Sequence, residues 1–203
     1  MLKKKLISIS IIVFSFICIF IFCKAIIPKP FLQADYMYFT EIEDIIKASD
    51  VIVIGNVIKA KEVKHLMVDV TPNKAKEDKE TTPYTLSTVQ ITEVIKGNVK
   101  VGDVITIKQL GDYIREPEST LYELDGYLKE NNKELMFLCE YDDCPYSPIN
   151  PGQGLIEVRA DGTLYSASTD SFFGYRGDDT EAHTVEKTDT LQLALERIRA
   201  CIN

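Results

Sequence analysis

The chain is predicted to be mainly β: a small closed barrel of five to six strands with a short N-terminal and a C-terminal α-helix packed on it, preceded by a hydrophobic signal or anchor helix. Three observations carry this. A lysine cluster stands ahead of a long apolar run at the extreme N-terminus. Segments rich in β-branched residues recur between turn signals from residue 51 to residue 168. Two stretches with helical apolar spacing bracket those segments.

Lys3, Lys4 and Lys5 precede Leu6 to Cys23, a run holding only apolar residues and three serines. Charge followed by an apolar core is the pattern of an export signal. As a helix this run is about 27 Å long, close to the roughly 30 Å hydrocarbon core of a bilayer, so length alone leaves signal peptide and membrane anchor both open. In either case the lysines retain the N-terminus in the cytoplasm and the remainder is expected outside it, membrane-anchored or secreted. Cys23-Lys24-Ala25 is a small-x-small cleavage pattern. Cys23 follows Phe22 instead of a small residue, which argues against lipidation. Residues 26–39, with Pro28 and Pro30, read as an extended tether, and residues 40–203 as one domain.

Beyond residue 25 the chain holds 19 basic and 31 acidic side chains, a net charge of −12. A surface so acidic repels phosphate backbones, so nucleic acid is excluded as a partner. Outside the first 25 residues the cysteines are Cys139, Cys144 and Cys201. In an oxidising compartment Cys139 and Cys144 would close a short disulfide loop; the alternative is three small apolar side chains.

Thr40 and Glu43 form a capping-box pattern ahead of a helix over 41–48, with Ile42, Ile45 and Ile46 on one face. VIVIGNVIKAKEV, 51–63, reads as a strand in which Gly55 permits a bulge. Residues 65–82 carry the charge run KAKEDKE and read as a solvated loop. The strand expected over 84–97 changes apolar parity between Tyr84/Leu86 and Val89/Ile91/Ile95, as a strand bending round a barrel corner would. Strands follow at 104–111 and 135–141, then a proline-braced turn, DDCPYSPINPG. A hairpin over 154–168 is set by Asp161-Gly162. Asp189 caps a last helix, with Leu191, Leu195, Ile198 and Ile202 aligned.

SDVIVIGNVIKAKEV, 49–63, and YTLSTVQITEVIKGNVKVGDVITIKQLG, 84–111, resemble the first strands of the netrin-like family, whose best-known members are the tissue inhibitors of metalloproteinases. With ELMFLCEYD and YSPINPGQG they also resemble small uncharacterised exported proteins of Gram-positive bacteria. The resemblance implies a five-stranded OB-type barrel carrying two helices. The inhibitors present a cysteine at their mature N-terminus to the protease zinc. Here the corresponding residue is Ile26, and the first cysteine of the domain is Cys139.

Catalytic signatures are sparse. His65 and His183 lack metal-ligand neighbours at helical spacing, Ser87 and Ser147 lack a glycine elbow, and no phosphate-binding glycine loop occurs. Asp142-Asp143 and Asp178-Asp179 match no calcium loop. No catalytic residue, metal ligand or cofactor is therefore assigned, and a non-enzymatic binding module for a protein or envelope component is expected. An inhibitor of an extracellular peptidase is the first alternative and a divalent-metal-dependent enzyme the second. The binding residues expected at a barrel end are Tyr141, Tyr146, Asn150, Phe172, Phe173 and Tyr175, with Pro148 and Pro151 bracing their loops. The same rings could instead plug the barrel end.

Overall fold

Helix α1, Ile42–Ala48, buries Ile42, Ile45 and Ile46 and turns its charged side chains to solvent. It leads directly into β1, Val51–Met67, which pairs antiparallel with β2, Thr81–Lys96. The computed structural model describes residues 36–67, 81–113, 126–166, 171–173 and 190–202. The expected export segment, most of the tether, and the loop core at 68–80 lie outside these residues. So do Tyr175, His183 and the Asp178-Asp179 pair.

At about 3.3 Å per residue a 17-residue strand would run roughly 55 Å if straight, several times the thickness of a small barrel. The β1/β2 ladder bends instead, with register shifts at Ile52/Val53, Ile54/Gly55, Val57/Lys59 and Lys59/Glu62. At Gly55 β1 lies close against β2: a Cβ there would lie 2.4 Å from Val89 Cγ1 and 3.0 Å from the Gln90 carbonyl. The close approach thus excludes a side chain, consistent with the irregularity expected at this glycine.

Strand β3, Val104–Leu110, adds to β2, and β4, Lys133–Cys139, adds to the free side of β1. Beyond β4 lie β5, Ser147–Pro148, and β6, Leu155–Val158, which share its outer edge, and β7, Leu164–Tyr165, closes a hairpin with β6. Gly162 sits at φ +80° and donates its N–H to the Arg159 carbonyl at 2.9 Å, and Arg159 N–H donates to the Thr163 carbonyl at 2.9 Å, so the hairpin closes on a loop of Ala160, Asp161 and Gly162 and not on the two-residue turn expected of the Asp-Gly pair. The last helix is α2, Leu191–Ile202. The result is a mainly β fold: one curled antiparallel sheet in the order β3-β2-β1-β4-β6-β7, rolled into a partial barrel and carrying a C-terminal helix.

The sheet is buried on both faces where β1 and β4 run side by side. One face supplies Val51, Val53, Val57, Val89, Ile91, Ile105, Ile107, Met136 and Leu138 to the inside of the curl. The other supplies Ile52, Ile54, Leu135 and Phe137, covered by α1, by Ala194, Leu195 and Ile198 of α2, and by Phe173. Two-sided burial explains the continuous apolar runs VIVI and LMFL, which lack the alternation of a half-exposed strand.

Several expectations are corrected. Glu41, not Thr40, occupies the α1 N-cap, with no side-chain cap bond, so the Thr40/Glu43 capping box does not form. At α2 the Thr190 hydroxyl accepts the Leu193 N–H at 3.4 Å, and Asp189 lies outside the described residues. The parity reading of β2 holds only in part: Thr85, Leu86, Ser87, Val89 and Ile91 are all buried, and Ile91 and Ile95, expected on one face, are separated by register shifts where β2 gains residues relative to β1. Ile95 then packs with the helix-side core while Val94 stays with the inner one. Polar Thr85 and Ser87 inside the curl concealed the true phase. The strands also outrun the loop boundary, pairing as far as Met67 with Thr81.

The domain begins before Thr40. Phe39 is buried, and Gln153, itself 2% exposed, grips it from both sides: Phe39 N–H donates to Gln153 Oε1 at 3.0 Å, and Gln153 Nε2 donates to the Phe39 carbonyl at 2.8 Å. Removing one side of a buried pair leaves the other unsatisfied. Gln153→Ala is expected to cost about 1–3 kcal/mol and to speed amide exchange at Phe39, whereas unchanged exchange there would show that the strap has another anchor.

Candidate functional site

The curl of the sheet brings β3 against the residues that precede β5. Tyr146 N–H donates to the Thr106 carbonyl at 3.1 Å, and Lys108 N–H donates to the Tyr146 carbonyl at 2.8 Å, forming a parallel bridge between Ile107 and Tyr146. These two bonds pair the β4–β5 connection with the free edge of β3, beside the strand's outer face. Strand alternation sends Ile107 into the core and leaves Lys108 on that outer face.

Four side chains meet there. Lys108 Nζ lies 4.2 Å from the Tyr141 ring centroid and 5.7 Å from that of Tyr84, and donates to Cys144 Sγ at 2.8 Å. An ammonium over an exposed ring is attracted by about 0.5–1 kcal/mol, enough to bias a rotamer. The Tyr141 and Ser147 hydroxyls lie 3.2 Å apart, and Tyr146 Oη donates to Glu140 Oε1 at 3.1 Å. Glu140 is in turn fixed through its N–H to Asp50 Oδ2 at 2.9 Å. Tyr141 remains 46% exposed, so the patch is ordered by hydrogen bonds yet open to solvent.

Burial chiefly raises the phenol of Tyr84 above its ordinary range, with the Lys108 charge opposing. Burial also raises the Cys139 thiol, helped by the Asp50 carboxylate and opposed by the Tyr141 hydroxyl and the Lys108 charge. Cys139 and Cys144 are both free thiols in this structure.

Of the six residues expected to bind, the five among the described residues are not brought together. Tyr141 and Tyr146 belong to the patch. Asn150 is a bracing residue: its Oδ1 accepts the N–H groups of Gly152 and Gln153 at 2.8 and 3.2 Å, and its Nδ2 donates to the Met37 carbonyl at 2.9 Å. Phe173 is core, 1% exposed and stacked on Phe137 with centroids 6.4 Å apart; Phe172 packs partly buried beside it. Tyr175 lies outside the described residues. Lys108 and Tyr84 were missed, because nothing local links position 84 or 108 to position 144.

A concavity of about 550 Å³ lies away from the patch, at the opposite end of β4, lined by Asn132, Lys133, Glu157, Arg159 and Leu191 among others. Arg159 is already engaged over the Tyr165 ring at 4.4 Å. The lining mixes charges of both signs and contains no nucleophile beside a base. Among the described residues no group of three or more His, Cys, Asp or Glu side chains could hold a metal ion, and no helix is long and apolar enough to cross a membrane.

No family model, curated protein or solved structure matches this chain.

Proposed function

We propose that the chain is a non-enzymatic binding module working outside the cytoplasmic membrane, membrane-tethered or secreted, and that it recognises a protein or envelope component through the Tyr84–Lys108–Tyr141–Tyr146 patch. The observation that carries the reading is the Lys108 ammonium set between the Tyr84 and Tyr141 rings on a backbone held by the β3–Tyr146 bonds. Tyrosine is one of the side chains enriched at binding hot spots, and a partner that covers these braced rings would desolvate them. The extracytoplasmic address rests on the charged and apolar N-terminal sequence.

An OB-type barrel is the finer fold within this proposal. Its support is connectivity: β1, β2 and β3 form a meander, β4 pairs with β1, β5 pairs with β4, and the residue before β5 runs parallel to β3. OB-type barrels bind ligands with the face of their second and third strands and adjoining loops, and the patch includes Tyr84 from β2 and Lys108 from β3.

The test is affinity capture from native envelope extract and culture fluid with the wild-type chain and with Tyr141→Ala and Lys108→Ala. A specific partner should bind the wild type and lose about 30-fold in affinity, the equivalent of ~2 kcal/mol, on either substitution. A partner retained equally by all three chains would remove the patch from the reading. A captured peptidase whose activity falls on binding would identify the module as an inhibitor.

A further inference from the structure

The 2.8 Å contact between Lys108 Nζ and Cys144 Sγ joins two reactive side chains 36 positions apart in sequence. Each is held by its surroundings. Lys108 is fixed at its backbone by Tyr146 and at its ammonium by the Tyr141 ring; Cys144 stands two residues before Tyr146 in the same connection. Cys144 is exposed, so a small oxidant reaches its sulfur without displacing the core. The nearest alternative thiol in sequence, Cys139, is half-buried at the end of β4.

We propose that this pair is an oxidative modification site at which a single oxygen atom bridges Lys108 Nζ and Cys144 Sγ, with a peroxide as oxidant. In the first step the Cys144 thiol takes one oxygen from hydrogen peroxide to become a sulfenic acid, and one water leaves. The lysine then gives up its ammonium proton to solvent. In the second step another peroxide accepts two electrons; an N–H bond and the sulfenic O–H bond break, an N–O bond forms, and two waters leave. Overall one amine, one thiol and two peroxides give the N–O–S bridge and three waters, a four-electron oxidation. Two single bonds through one oxygen span a separation close to the contact observed, so the backbone need not move.

The bridge would tie the β4–β5 connection covalently to β3 and take the ammonium away from the Tyr84 and Tyr141 rings. The modification itself is independent of the ligand reading; only a resulting change in affinity rests on it. Reduction of the bridge by a thiol would restore both side chains, making the connection redox-reversible.

The test treats the reduced full-length chain with hydrogen peroxide, then reads intact mass and peptide maps before and after thiol reduction. The expected result is a cross-linked pair of peptides containing Lys108 and Cys144, heavier than their sum by one oxygen and lighter by two hydrogens. It should be absent from Cys144→Ser and from Lys108→Arg, which keeps the charge. Its formation should also raise the thermal midpoint of the wild type alone. A Cys139–Cys144 disulfide, recognised by loss of two hydrogens without gain of oxygen, would overturn the proposal. So would sulfinic or unmodified Cys144 beside an unmodified Lys108.

Discussion

Phe137→Ala is expected to lower the stability of the domain by about 3–5 kcal/mol, a large share of the roughly 5–15 kcal/mol that holds a typical domain folded. Phe137 sits near the middle of β4, is 1% exposed, and stacks on Phe173 at an interplanar angle of 10°. Its face of the sheet is the one covered by α1 and α2, so the cavity opens where three elements meet. Its backbone cannot relax into that space: the Phe137 N–H donates to the Gly154 carbonyl, and its carbonyl accepts the Ile149 N–H. Gly154 adds rigidity, since a Cβ there would lie 2.7 Å from the Asn150 carbonyl and 3.1 Å from that of Phe137. Denaturant titration of Phe137→Ala and Phe137→Leu measures the effect, with leucine losing much less because it fills most of the volume. A loss below about 1 kcal/mol for alanine would mean that the helix-side core is not packed on this ring.

Glu134 is expected to make the protein less stable as pH rises from about 4.5 to about 8. Its carboxyl is buried on β4, opposite Gly55 of β1 on one side and opposite Glu157 of β6 on the other. Burial is the main cause pushing its pKa up to about 8, and the Glu157 charge adds to it; the Asn132 amide and Lys129 oppose. The Asn132 contact, 3.5 Å from Nδ2 to Oε1, is too long to offset desolvation. Between the two pKa values the folded chain holds a proton that the unfolded chain has released. Unfolding therefore becomes easier by about 1.4 kcal/mol for each pH unit in that window, roughly 3–5 kcal/mol in all. This stability is fully present below pH 4.5, is lost as pH rises through 8, and does not change further above about pH 9. Glu134→Gln supplies a neutral side chain of the same shape and should flatten the curve, leaving the variant more stable than wild type at pH 9 and similar at pH 5. Equal slopes for the two proteins between pH 5 and 9 would show that Glu134 is already ionised in the fold.

The sequence was most informative where one residue type answers one backbone demand. Asp161-Gly162 marked the hairpin because the turn needs a positive φ, and Gly55 marked the irregularity in β1 because the neighbouring strand leaves no room for a Cβ. It was least informative where a residue's surroundings come from distant strands. Phe173 reads like an exposed loop aromatic, yet Phe137, 36 positions away, makes it core. Ser147 and Pro148 read as part of a turn because Pro145 and Pro151 flank them, yet β4 pairs with both. The site divides the same way: Tyr141 and Tyr146 stood out as rings in a proline-braced loop, whereas Lys108 is one of many outward lysines until the curl of the sheet carries Cys144 to it.

By itself the sequence determined the predominance of β-strands, the succession of strands along the chain through β4, a hairpin at Asp161-Gly162 and the two helices. Each of these follows from apolar periodicity or turn chemistry within a few residues. Only the tertiary structure decided the true phase of β2, the capture of Phe39 by Gln153, the raised pKa of Glu134, and the meeting of Tyr84, Lys108, Tyr141 and Cys144. Those features depend on which strands become neighbours, and the bulges that curl β1 over β2 set that through backbone packing, to which no single local pattern corresponds.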